Sequence, residues 1–258
     1  MKLVTRRFLN RVIDKPLLFL GTIIVSLFAN YLMSLYKIGQ FQFNQLNYSI
    51  ADGYVNLFKA NQMGIFIVLP FTIFFAIIIE SDFQVNTLIR MENRKQLFVH
   101  QLIFGMLFSI ILAVVVSVAN YLTYVRYTSS IVNWQEKNSV FMAITGMAKE
   151  WNILTIQIIF ILCFVNFLMI NFTVLLFSRW IFHRSIYGIV IIIALIIWDL
   201  KQPPHVQFLY RVFGIVYSKF TVPYILFIQI LLTIIFLSLS VLTIVRTDQI
   251  KRCDFYDL

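Results

Sequence analysis

Charge is what this sequence has least of. Only 12% of its 258 residues are charged, where a soluble domain carries about 25%. That shortage excludes an ordinary water-solvated surface. The apolar residues fall in long runs rather than at amphipathic spacing, so the bilayer is the expected solvent. Cysteine is scarce as well. Cys163 lies in an apolar run and Cys253 in the polar tail, so no disulfide framework is expected. His100, His183 and His205 share no ligand spacing, so neither a metal site nor a cofactor is expected. None of the eight glycines is followed by Lys, which excludes the G-x-x-x-x-G-K-[ST] phosphate loop. HExxH and GxSxG are also missing. Acidic residues are absent from the middle of every apolar run, where proton and sodium relays usually place them.

Six apolar runs are present, at 16–36, 63–79, 98–125, 153–178, 186–199 and 223–245. A span needs about twenty residues, so the second and fifth are short. The second is expected to extend at its N-terminal end through Asn61 and Gln62. The fifth is bounded by Arg184 and Asp199. The first run is too long for a signal h-region and reads as an uncleaved anchor. The 27 Phe residues, with Ile, are expected to fill lipid-facing surface rather than a binding site. With six spans, one side of the membrane holds both termini and the connections 80–97 and 179–185. That side carries thirteen Lys and Arg against eight on the other, which predicts cytoplasmic termini. Trp151, Trp180 and Trp198 sit near run ends, as an aromatic belt requires. The net charge of +10 then suits anionic lipid headgroups, not nucleic acid.

Three flanking segments are amphipathic. In residues 1–15, Val4, Phe8, Leu9, Val12 and Ile13 share one half of a helix and Arg6, Arg7 and Arg11 the other. That is the pattern of an interfacial helix. In ESDFQVNTLIRMENRKQ, Ser81 and Gln84 fit a capping box, with a helix starting at about Asp82. Asp82, Asn86, Arg90, Asn93 and Arg94 make one polar stripe, bordered by Phe83, and an aromatic among charges points to a protein contact. Between the last two runs, Pro203 and Pro204 stop the fifth span. Val206, Leu209, Tyr210, Phe213, Val216 and Tyr217 then recur at helical spacing, as in a segment dipping into the outer leaflet. Within the runs, Asn30, Asn120, Gln157, Asn166, Asn171 and Gln229 are the mild polar groups. Helix–helix hydrogen bonding is their ordinary role. The alternative is that Asn30, Asn120, Gln157 and Asn166 line a substrate path.

This all-α, polytopic arrangement resembles the permease subunit of an ABC-2 type exporter over essentially the whole chain. That family has a basic interfacial helix, six spans, a cytoplasmic coupling helix between spans two and three, and a short outer helical hairpin before the last span. These correspond to 1–15, 81–96 and 204–220 of a single transmembrane domain, 1–258. The tail KRCDFYDL is similar to the ends of small permeases from Gram-positive bacteria. The resemblance implies a bacterial plasma-membrane location, a separate ATPase subunit and a second permease copy or paralogue. It also implies that the chain is itself no enzyme. Asp82, Phe83, Asn86, Arg90, Asn93 and Arg94 would be the ATPase-docking residues. The cargo implied is a hydrophobic or amphipathic peptide, as in exporters of phenol-soluble modulins or of lantibiotics for self-protection. Two other classes stay open, a secondary transporter and an intramembrane enzyme. For the latter, His100 and Cys163 are the sole candidates and stand in different runs.

Overall fold

The computed structural model describes residues 15–56, 67–83, 94–145 and 150–201, and in the C-terminal part 227, 230, 231 and 233–242. The described residues are helical, with no strand beyond one isolated bridge between Asn47 and Ser139. The helices are α1 (Pro16–Phe43), α2 (Ile50–Asn56), α3 (Leu69–Asp82), α4 (Arg94–Val125), α5 (Val140–Thr145), α6 (Ile153–Phe182), α7 (Ile186–Lys201) and α8 (Thr233–Leu242). Three of them, Pro16–Phe43, Gln96–Val125 and Ile153–Phe182, are long and apolar enough to cross a membrane. They make this a membrane-embedded protein. The interfacial segment 1–15 falls almost wholly, and the outer hairpin 204–220 entirely, outside the described residues.

Helix ends follow local chemistry. Pro16 opens α1, where its missing N–H costs nothing. The helix outlasts its apolar run because its polar end bonds to itself. Lys37 Nζ donates to Gln40 Oε1 at 3.0 Å, and Gln40 Nε2 to the Tyr36 hydroxyl at 2.8 Å. Asn152 caps α6, its Oδ1 accepting from the Leu154 amide at 3.0 Å. The helix stops at His183, whose φ of 59° is left-handed.

α6 is the centre, packed against α3, α4 and α7, with α1 on the far side of α3 and α4. α8 joins it through Phe236, whose ring lies 5.9 Å from that of Phe177. Phe19 near the start of α1 meets Phe108, and Ser34 further along meets Asn120, so α1 and α4 run side by side in the same direction.

The expectation for Phe holds at Phe28, which is exposed on α1, and is corrected for the bundle interior. Phe71, Phe74 and Phe75 of α3, Phe104 and Phe108 of α4 and Phe172 of α6 are all buried. Their rings interlock, with Phe74–Phe108 at 4.7 Å and Phe75–Phe172 at 4.7 Å. Ile and Leu take much of the outer surface instead, as at Leu17, Ile24, Ile77, Ile158 and Ile193. The reason is that lipid offers an aliphatic side chain as good a surroundings as the protein does. An aromatic ring gains edge-to-face and offset contacts only from other rings.

Gly105 shows how close this packing is. A Cβ there would overlap the Phe172 ring. Gly105→Ala is expected to lower stability in detergent by about 1–3 kcal/mol. Gly105→Ala with Phe172→Leu should recover part of the loss, as read by thermal unfolding. An unchanged melting temperature for Gly105→Ala would contradict this packing.

Candidate functional site

At one end of the bundle, the end of α3, the start of α4 and the turn between α6 and α7 are knitted together. The Arg179 guanidinium does most of this. Its Nε lies 3.1 Å from Glu80 Oε2, and its Cζ lies 4.0 Å from the centre of the Phe83 ring. A third contact goes from Nη1 to the His183 carbonyl. Arg suits this place because its flat fork can pair with a carboxylate while stacking on a ring. Glu80 Oε1 also accepts from the Ser185 amide at 2.7 Å, in the turn that starts α7. Beside it, Phe83 meets Trp180 edge-on at 5.1 Å. The Trp180 indole donates to Gln101 Oε1 at 3.2 Å, and Gln101 Nε2 donates to Asp82 Oδ2 at 3.1 Å. Phe98 of α4 packs on Trp180 as well, at 6.0 Å. Both flanks of residues 84–93 are therefore fixed to α6.

The expected docking residues divide accordingly. Asp82 is buried, bonded to Gln101, and Phe83 is half-buried under Arg179. Both are parts of the internal cluster rather than of an open polar stripe. Gln84, the second half of the expected capping box, lies outside the described residues. Ser81 and Asp82 end α3, and the Ser81 hydroxyl donates back to the Ile78 carbonyl at 2.7 Å. A helix's last carbonyls lack amide partners, so a serine there is drawn backward onto one of them. Asn86, Arg90 and Asn93 lie outside the described residues, and Arg94 begins α4.

The interior polar groups form a seam between α1 and α4. Thr22, Ser26, Asn30 and Ser34 recur every four residues on the buried face of α1. Ser34 Oγ donates to Asn120 Oδ1 at 3.4 Å. Ser26, both amide atoms of Asn30, Asn120 Nδ2, Ser109 and Thr72 are buried without hydrogen-bond partners. Each such group costs about 1–3 kcal/mol. Two of the four expected path residues, Asn30 and Asn120, thus belong to this seam. Gln157 does not; its Nε2 donates to the Tyr54 hydroxyl at 3.0 Å, which itself donates to the Ser117 carbonyl at 3.1 Å. Asn166 is half-buried on α6, outside these bonds.

The opposite end holds residues that the sequence pattern alone did not single out. The Ser49 amide and hydroxyl both donate to Asp52 Oδ2 at 2.8 Å, a capping box at the start of α2. The Trp134 indole, from the α4–α5 connection, donates to Asp52 Oδ1 at 2.9 Å. Trp134 stacks on Phe141 at 4.2 Å. The S-x-x-D pattern at 49–52 was a readable signal for this cap. Burial pushes the Asp52 carboxyl up to about 6, against the pull of its Ser49 and Trp134 bonds.

Among the described residues no group of three or more His, Cys, Asp or Glu could hold a metal ion, and Cys163 is buried in the core. Comparison with protein-family models, with curated proteins and with solved structures finds no match to this chain.

A raised native-state pKa means that the native state holds the proton more tightly than the unfolded chain. Asp52 therefore contributes stability fully below its ordinary value of 3.8, and that stability is lost as pH rises through about 6. Between pH 4 and 7 the loss is expected to reach at most about 3 kcal/mol. Asp52→Asn should flatten this component. Denaturant unfolding followed by Trp fluorescence across that range checks it. A pH profile in which wild type and Asp52→Asn run parallel would contradict the assignment.

Proposed function

We propose that this chain is the permease subunit of an ATP-driven exporter, with six spans and both termini in the cytoplasm of a bacterial cell. The described helices support the up-and-down course that six spans require. Each turn leads the chain back along the bundle from α3 through α7. The +10 charge and the Lys/Arg imbalance support the orientation. ATP hydrolysis belongs to a separate partner subunit, and two permeases, identical or paralogous, pair across the membrane. The cargo is a hydrophobic or amphipathic peptide.

One observation carries the reading. Residues 84–93 are bracketed by side chains locked to α6: Phe83 on Trp180 and Arg179 before them, and Phe98 and Gln101 on Trp180 after them. A connection built only to join two spans needs no such anchorage. One that receives a push from a partner does, since a push on a loose loop is absorbed there. Docking then falls to the residues between the anchors, with Asn86, Arg90 and Asn93 together with Arg94. Phe83 and Asp82 pass the movement inward. Asn30 and Asn120 are the path residues best placed to serve, because their seam holds polar groups with bonds still to make.

The test is purification of the full chain from its native membranes in mild detergent. A stoichiometric ATP-hydrolysing subunit should accompany it. Arg90→Glu with Arg94→Glu should lower its recovery about tenfold or more while membrane insertion stays normal, as expected when charge complementarity is reversed. Undiminished ATPase recovery with the double variant, or peptide transport by the purified chain without ATP, would refute the proposal.

A further inference from the structure

A short polar side chain on a helix in lipid can satisfy itself on the carbonyl one turn back along its own helix. This bundle does so from Thr22 to Leu18 at 2.9 Å, from Thr123 to Ala119 at 2.8 Å and from Asn171 to Phe167 at 2.8 Å. Asn30 and Asn120 do not. Both amide atoms of Asn30, Asn120 Nδ2 and Ser26 Oγ are buried without a partner, on residues no more than 2% exposed. Asn120 Oδ1 does accept from Ser34 Oγ, but at 3.4 Å. A hydroxyl donor ordinarily sits at about 2.7–2.8 Å.

These orphaned atoms are complementary. Ser26, Asn30 and Ser34 follow one another at single-turn spacing on the buried face of α1. Asn120 meets Ser34 from α4 with its oxygen, which leaves its nitrogen in need of an acceptor. The unpaired Asn30 oxygen is one turn before Ser34. Asn30 Nδ2 needs an acceptor in turn, and Ser26 Oγ is one turn earlier still. A single line of donors, Ser34 to Asn120 to Asn30 to Ser26, uses all of them. Bonds in such a line polarise and strengthen one another. The long Ser34–Asn120 contact marks where the line is drawn apart.

α1 is placed to close that gap. It is the least buried of the three long helices, and it packs mainly on α3 and α4. Its start is pinned by Phe19, whose ring lies 6.2 Å from Phe74 and 5.1 Å from Phe108. Just past its other end, Gln45 has a φ of 56°, in the left-handed region that strains a side chain. Asn47 beyond it is fixed, its amide donating to the Asn138 carbonyl at 2.8 Å and its carbonyl accepting from Val140 at 3.0 Å. A helix pinned at one end and joined to a fixed point through one strained residue can swing its far half.

We propose that α1 has two seats on α4. In the seat described above, the half of α1 from Ser26 to Phe43 stands off. In the second seat it closes, the line from Ser34 to Ser26 forms, and Gln45 is the hinge. The device uses no residue of the Arg179 cluster, so it holds or fails apart from the exporter reading.

The experiment is a double-mutant cycle on the full chain in detergent, unfolded by denaturant and followed by Trp fluorescence. Asn30→Leu, Asn120→Leu and the pair of changes are compared. In the open seat the two amides share no bond, so with that seat alone their effects on the unfolding constant multiply. With the second seat populated they are coupled by about threefold or more, the size of an interhelical hydrogen bond in a membrane protein. A trifluoromethyl label at Leu32→Cys, on the exposed side of α1, reads the seats by fluorine NMR in a Cys253→Ser chain, where Cys163 is buried. Two lines are expected, and one of them should be lost when Asn30→Leu and Asn120→Leu are added. Effects that simply multiply, or the same single line in both labelled chains, would overturn the proposal.

Discussion

A guanidinium at the edge of an apolar bundle needs partners for both its charge and its face. Arg179 has both, although its buried Nε meets Glu80 as an ion pair without a hydrogen bond. It faces a carboxylate, a ring and a backbone carbonyl at once, so its charge is met by Glu80, its face by Phe83 and a further N–H by His183. Arg179 is mostly buried and Glu80 is nearly half exposed, so solvent screens the ion pair in part. The stacking and the shared enclosure by Trp180 make the arrangement specific. Remove it, and the end of α3 keeps the Glu80 bond to the Ser185 amide and the edge contact of Phe83 on Trp180, but loses the group that joins them. The start of α4 stays held by Gln101 and Phe98 on Trp180 and by Gln101 on Asp82.

The rest of the bundle is stiff in one place and unsettled in another. Around Phe74, Phe75, Phe108 and Phe172 rings fill the space between α3, α4 and α6, and even Gly105 leaves no room for a methyl group. Interiors packed in this way move as bodies. In the α1–α4 seam the two amides Asn30 and Asn120 keep buried polar atoms without partners, beside the single hydroxyls Thr72, Ser109 and Ser178 elsewhere in the bundle. Such atoms favour any rearrangement that pairs them. A rigid α3–α4–α6 body and an α1 held partly by unsatisfied amides provide the physical ingredients for a change of packing between two states.

The long helices were legible in the sequence because their cause is local. The runs 98–125 and 153–178 became α4 and α6 with small shifts, since uninterrupted apolar residues leave few other structures available in lipid. What sits inside was not legible. Phe and Ile score alike in a hydropathy run, and only the packing separates a ring that finds rings from a chain that faces lipid. Ser81 and Ser49 show that a capping pattern does not say what precedes it. Both stand three residues before a partner of the right type, yet Ser49 starts a helix and Ser81 ends one. The difference lies in what precedes each: α3 already reaches Ser81, whereas Ser49 comes after a chain reversal at Gln45, where φ is 56°. The pairing of Asp52 with Trp134 joins residues 82 apart, and no local pattern contains such a distance. The same holds for Glu80 and Ser185.

Arg179 and Phe83 act together to tie the end of α3 to α6. A double-mutant cycle measures that directly. Arg179→Ala, Phe83→Leu and the pair of changes together are compared by unfolding in detergent. A coupling of about 0.5–2 kcal/mol is expected between the two sites, the range for a partly desolvated cation on a ring. Arg179→Lys should regain some of the stability lost in Arg179→Ala but little of the coupling, because an ammonium lacks the planar face. Strictly additive losses from Arg179→Ala and Phe83→Leu would contradict the account.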